Sequence, residues 1–361
     1  MSDRKNQHFV PRVYLRGFAP SDNDKVVGLY NIRRGLFVDR APLKGQCSRD
    51  FFHGHDDLET TLGEIEGGYG SWISRGVLAD PPVLVEAVDH FLRFYMMLQY
   101  MRTEYAVMRM RSQYELMEKM SHVPSDDPGS SFQMTDTDFV RDSIRATPEF
   151  TRYIDDLKCV FIRNESGYPF VTCDDPVVFT NRVMIQRMRD DSFGFGGCGA
   201  LFYMPMSPHM AVLLYDRDAY APPKDSKDWL TLKKPADARA FNGLIFLKAK
   251  ENIYFQTSRH FDRSHFEEVS PNRIDKWQMG TVLKKVESRA GEEVYERVDL
   301  DAAPPGESLI ALSVRHPKPS AWPSVVPFRR PIVGYTNGSA VGHVRKATAA
   351  MGDYDVSKVR L

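Results

Sequence analysis

The chain has 361 residues, and Lys+Arg and Asp+Glu both number 48. Its formal charge is therefore zero, so no global positive field recruits nucleic acid by counterion release, and a nucleic-acid role needs a local basic patch. The opening MSDRKNQHFVPRVYL lacks the apolar core of a signal peptide, and no run of about 18 apolar residues occurs, so the expectation is a cytoplasmic protein with no membrane contact. Cys47, Cys159, Cys173 and Cys198 form no Cys-x-x-Cys pair and read as reduced, mostly buried thiols.

In chain order, Val10, Val13, Tyr14 and Phe18 stand near helical spacing, which predicts a short helix. Two β-branched and aromatic runs, 25–31 and 36–41, flank Arg33-Arg34-Gly35 and predict a hairpin. Asp56-Asp57 opens a second helix whose Leu58, Leu62, Ile65, Tyr69 and Trp72 share a face, ending near Gly76. Pro81-Pro82 then introduces the strongest periodic segment, residues 83–120, with Val85, Val88, Phe91, Leu92, Tyr95, Met96 and Gln99 on one stripe. That spacing predicts one long core helix. Turn formers over 122–138 predict a loop, followed by one or two shorter helices up to Leu157.

From Cys159 the pattern changes to strands: CVFIRN, PFVTC, VVFT, FYMPM, MAVLLYD, NIYFQTS, GTVLKKV, EVYERV and SLIALSV, interrupted by a helix over 235–250. The fold class expected is α+β, with a mainly helical first half (1–157) packed on a sheet-rich second half (158–316) in one domain. Residues 317–361 are rich in Pro, Gly and Ala with little periodicity and read as an extended or partly disordered tail.

The segment QHFVPRVYLRGF resembles the opening signature of the bacterial domain-of-unknown-function family 4238, His-x-x-Pro-x-x-Tyr-Leu-x-x-Phe, at His8, Pro11, Tyr14, Leu15 and Phe18. LGEIEG with Glu66, LQYMRTE with Gln99 and Arg102, VTCDDPVV around Asp174, a Pro-x-Ser-Pro at Pro205 to Pro208, and Asn242 follow in the order the family shows. The resemblance spans residues 6–258. It implies no established activity or cofactor. One departure stands out: Cys173 and Asp175 occupy positions where the family usually has Ser and Asn.

His8, Glu66, Arg102 and Asp174 are polar residues in apolar neighbourhoods, and a buried charge persists only when paired or hydrogen-bonded. Their convergence would make a composite site, with His8, Glu66 and Asp174 as acid/base or metal-holding groups and Gln7, Arg12, Gln99, Arg102 and Asn242 as substrate-binding groups. A His with two carboxylates suits a divalent metal ion, and Arg102 suits an anionic small molecule or a nucleic-acid phosphate. The expectation is a hydrolase or nuclease. Its rivals are a non-catalytic ligand-binding or sensor module using the same residues, and a structural scaffold in which they merely lock the N-terminal helix onto the long helix. His53, His55, Asp56 and Asp57 read as helix-entrance capping, GFGGCGALF as a mobile loop, and Arg182, Arg187 and Arg189 as a solvated loop, each being the best local version of a metal, phosphate or nucleic-acid site.

Overall fold

The computed structural model describes residues 5–54, 58–72, 86–120, 134–225, 228–274, 278–289, 292–298, 308–339 and 341–361. The chain opens with β1 (Asn6–His8), α1 (Arg12–Leu15), the hairpin β2 (Val26–Asn31) and β3 (Leu36–Pro42), and β4 (Ser48–Asp50). Helices α2 (Leu58–Trp72), α3 (Glu86–Met101), α4 (Glu104–Met120), α5 (Asp136–Arg145) and α6 (Thr147–Thr151) complete the first half. The second half carries β5 (Lys158–Asn164), β6 (Thr172–Cys173), β7 (Val178–Asn181), β8 (Ala200–Ser207), β9 (Met210–Tyr215) and β10 (Trp229–Leu232). It continues through α7 (Pro235–Lys248), β11 (Asn252–Phe255), α8 (Arg263–Val269), β12 (Gln278–Arg289), β13 (Glu292–Val298) and β14 (Ser308–Val314). The C-terminal segment adds β15 (Val333–Thr336), α9 (Lys346–Met351) and β16 (Ser357–Arg360). The fold is α+β.

A five-stranded sheet, ordered β10-β5-β9-β8-β7, separates two cores. Side chains alternate across its faces, as a pleated strand requires. Phe161, Phe202, Met204, Val212 and Leu214 enter the core shared with Phe9, Tyr14, Leu92, Tyr95 and Val140 of the first half. Their neighbours Val160, Ile162, Tyr203, Leu213 and Tyr215 enter the second, with Phe241 and Ile245 of α7. A smaller sheet, β3-β2-β11-β6, lies beside it. The N-terminal motif docks here: the buried Tyr14 hydroxyl donates to Pro205 O at 2.5 Å and meets Thr172 Oγ1 at 2.7 Å. Gly17 passes so close to β8 that a Cβ there would stand 2.1 Å from Met206 O.

Three expectations need correction here. The single helix over 83–120 is two helices, because Arg102 and Thr103 break it. Thr103 Oγ1 accepts from Ala106 N at 3.2 Å and caps α4, while Ser143 Oγ and Arg109 Nη2 donate to the freed Met101 and Tyr100 carbonyls at 2.5 and 2.8 Å. Residues 81–85, where the long helix was expected to begin, and 73–76, where α2 was expected to end, lie outside the described residues.

Residues 317–361 are not an extended tail. Val326, Ile332 and Val344 are buried, β15 pairs with β16, and Ser324 is held by Asp237 of α7 through its N–H and hydroxyl. Of the three arginines expected in a solvated loop, Arg187 and Arg189 are exposed, but Arg182 is half-buried, lying 4.6 Å over the Phe328 ring with Nη1 donating to Val326 O at 3.0 Å. Arg189, at φ 57°, ends the π-helical turn Met184–Met188.

Candidate functional site

The N-terminal set comes together around Arg102, which is 1% exposed. Its Nη2 donates to His8 O at 2.6 Å and to Glu66 Oε1 at 2.9 Å. Gln99, one turn earlier on α3, donates to Phe9 O at 2.9 Å, and Gln7 donates to Gly54 O at 2.8 Å while accepting from His53 N. The Gln99 and Arg102 bonds to the Phe9 and His8 carbonyls lock the N-terminal strand onto the end of α3, and the Gln7 bonds tie it to residues 53 and 54. What remains toward solvent is a cleft of about 390 Å³ lined by Asn6, His8, Arg12, Lys44, Glu59 and Glu66. The His8 imidazole meets Gln46 O at 3.0 Å through Nδ1, and burial, with Arg12 and Arg102 nearby, lowers its pKa. His53 is buried against Glu59, with Nδ1 3.0 Å from Oε2; His55, Asp56 and Asp57 lie outside the described residues.

Asp174 and Asn242 are elsewhere. Asp174 accepts backbone N–H groups of Lys250, Glu251 and Asn252 at 2.8, 2.7 and 2.9 Å, closing the turn from α7 into β11. Burial nevertheless pushes its carboxyl up to about 6. Asn242 bridges Val171 N and Pro169 O, fixing the segment that leads into β6. Among the described residues, no group of three or more His, Cys, Asp or Glu is placed to hold a metal ion.

A wider opening lies on the other side of the C-terminal end of α3, where Tyr100 faces away from the Gln99–Arg102 cluster. Tyr100, Phe150, Tyr153, Phe179, Phe193 and Phe195 line a cleft of about 640 Å³, with Gln113, Asp190 and Ser192 among its polar groups. The glycine loop forms one wall, and it is anchored instead of mobile. Arg345, 4% exposed, grips Asp156 with Nε and Nη2 at 2.8 and 3.1 Å. Its Nη1 donates to Phe195 O and Gly197 O at 2.6 and 3.0 Å, and Nη2 donates to Tyr153 O. A Cβ on Gly196 would stand 2.4 Å from Thr348 Cγ2, so only glycine fits against α9.

Behind Tyr100, Phe179, Val314 and His316 the cleft adjoins a cavity of about 20 Å³, room for one water. Lys248, the last residue of α7, is buried there with Nζ 2.8 Å from Asp175 Oδ2 and 4.6 and 4.5 Å from the Tyr100 and Tyr105 ring centres. Thr103 Oγ1 donates to the other carboxylate oxygen at 3.1 Å, and Arg109 Nη1 stands 3.8 Å from Oδ2. Burial lowers Lys248 to about 8 against the opposing pull of Asp175. It lowers His316 further, to about 3, so its ring, stacked 4.0 Å from Phe193, is neutral near pH 7.

Residues 6–259 match the family model described as a protein of unknown function, DUF4238. The chain belongs to this family. No curated protein and no solved structure matches it. The inner parts of the cleft, Tyr100, Phe179 and the glycine loop, fall within the DUF4238 match, while His316 and residues 341–348 follow it. Asp175, in the Cys173-Asp174-Asp175-Pro176 segment, is the partner of Lys248. Sequence reading missed Lys248, Arg109 and His316. A signal existed for the first: the last two turns of α7 are almost wholly apolar, and a lysine directly after LIFL on such a helix is drawn into the core.

Proposed function

We propose that this protein binds a small, flat, mainly apolar molecule in the cleft between the glycine loop, β7 and the C-terminal segment. The observation that carries this reading is the gathering of six aromatic rings around about 640 Å³ of open space. Leaving such surface against water costs roughly 25 cal/mol per Å², and a ligand that covers it recovers that cost. Aromatic walls favour a planar guest by offset and edge-on ring contacts, and Gln113, Asp190 and Ser192 supply the few polar groups that orient one.

A hydrolase or nuclease acting on an anionic substrate at the N-terminal cleft has less behind it. Gln7 and Gln99 donate to main-chain carbonyls, Arg102 divides its Nη2 between His8 O and Glu66, and Asp174 closes a distant turn.

Titration with 8-anilinonaphthalene-1-sulfonate, followed by its fluorescence, tests the binding reading. We expect one saturable site whose affinity falls about three- to tenfold in Phe195→Leu, from the loss of ring contacts worth roughly 0.5–1.5 kcal/mol. His8→Ala, in the other cleft, should leave it unchanged. Binding insensitive to Phe195→Leu, or abolished by His8→Ala, refutes the assignment.

A further inference from the structure

We infer that the Lys248 amine captures carbonyl compounds covalently, forming an imine with an aromatic aldehyde or ketone seated in the aromatic cleft. This rests on the cleft being a binding site. The structural basis is the position of the amine. Lys248 Nζ sits beside a cavity the size of one water, which shares Tyr100, Phe179, Val314 and His316 with the cleft. A ring held among Phe150, Phe179 and Phe195 has its carbonyl substituent directed past His316 toward this cavity, where the carbonyl oxygen takes the water-sized space.

The surroundings activate the amine in both of the ways that lower a lysine's basicity: removal from water, and a second cation close by. Lys248 is 7% exposed, and Arg109 approaches the same carboxylate. An amine titrating near 8 is roughly one-tenth unprotonated at pH 7, whereas an ordinary lysine is unprotonated about once in 3,000. His316, neutral on the opposite wall, adds no competing charge.

The step balances without an oxidant or reductant. The ammonium passes one proton to Asp175 at 2.8 Å, and the freed lone pair adds to the carbonyl carbon. The carbonyl oxygen then takes up that proton and a second from nitrogen and leaves as water. One proton stays on the resulting iminium. Its positive charge replaces the ammonium charge one for one, so the Asp175 carboxylate and the faces of Tyr100 and Tyr105 hold the product as they held the starting cation.

The test uses the full chain with 2-naphthaldehyde and sodium borohydride, which reduces an imine to a stable secondary amine, read by intact mass and peptide mapping. We expect one predominant adduct, on the peptide carrying Lys248, formed on the order of a hundredfold faster at pH 7 than adducts on exposed lysines, from their different unprotonated fractions. Its rate should rise with pH to a half-maximum near 8, and Lys248→Arg should remove it. Mapping in the wild type keeps the test decisive even where that variant folds poorly. Anilinonaphthalenesulfonate binding without a Lys248 adduct sinks the capture chemistry and leaves the binding site standing. An adduct that neither anilinonaphthalenesulfonate nor Phe195→Leu slows sinks the cleft as its source. Equal labelling of all lysines overturns the inference outright.

Discussion

Replacing Arg345 by Met removes a guanidinium whose hydrogen bonds tie the C-terminal segment to two separated parts of the chain: the Tyr153 carbonyl with Asp156, and the Phe195 and Gly197 carbonyls of the glycine loop. The aliphatic stem keeps its packing, so the loss isolates the polar bonds. Asp156 is part-exposed and regains water, but the loop carbonyls lose a charged donor inside the fold. Leaving the buried loop carbonyls without a donor costs roughly 1–3 kcal/mol each, about 4 kcal/mol together. A chain of 361 residues has an unfolding entropy of about 0.76 kcal/mol/K at roughly 2.1 cal/mol/K per residue, so 4 kcal/mol lowers the melting temperature by about 5 °C. Arg345→Lys should recover little, because an ammonium cannot reproduce the forked contact with Asp156. Differential scanning calorimetry reads the shift, and anilinonaphthalenesulfonate titration of the same sample reports the glycine wall. A midpoint within 1 °C of wild type refutes the reasoning, as does full rescue by lysine.

Ending the chain at His316 should give an aggregating product or lower the midpoint by more than 10 °C, since burial of Val326, Ile332 and Val344 alone contributes roughly 1.5–3 kcal/mol apiece; a soluble fragment melting within 2 °C of the full chain counts against it. Gly17→Ala should destabilise by roughly 3 kcal/mol in urea unfolding, because the new methyl meets the Met206 carbonyl; a loss below 1 kcal/mol would show that the backbone gives way. The Asp174 carboxyl titrates near 3.8 unfolded and near 6 folded, so between these values the folded chain holds the extra proton and stability falls as pH rises. The fall is about 2 kcal/mol between pH 4 and 6, because the folded carboxyl is already half-ionised at the upper limit, and Asp174→Asn should lack it; equal urea-midpoint slopes in both proteins would refute the assignment.

The strands were legible because each writes its own period: Val160, Phe161 and Ile162 declare two buried faces without help from elsewhere. The hairpin and the polar cluster on the N-terminal motif were legible for similar local reasons. The break at Arg102 was not, because the apolar stripe of α3 runs to the break without warning and the groups that satisfy its end, Ser143 and Arg109, lie 42 and 9 residues away. The C-terminal segment hid for the same reason. Its buried residues follow no period, and Arg345 reaches Asp156 across 189 residues. Asp174 stood in a motif with the look of a reactive carboxylate, yet three consecutive N–H groups it accepts belong to a turn more than 70 residues on.

Because residues 341–344 and Thr348 form part of the cleft wall, the order in which the chain is synthesised matters. The sheet, α7 and the Lys248–Asp175 pair are all complete on a nascent chain that stops at residue 250, but the aromatic rings at that stage line an unroofed trough. For roughly a hundred residues of further elongation, several seconds at 5–20 residues per second, Phe193 and Phe195 face solvent or whatever holds the nascent chain. Ligand can act as a folding template only after residue 348 is released, so it is expected to rescue late, full-length misfolding and to do nothing for stalled or truncated chains.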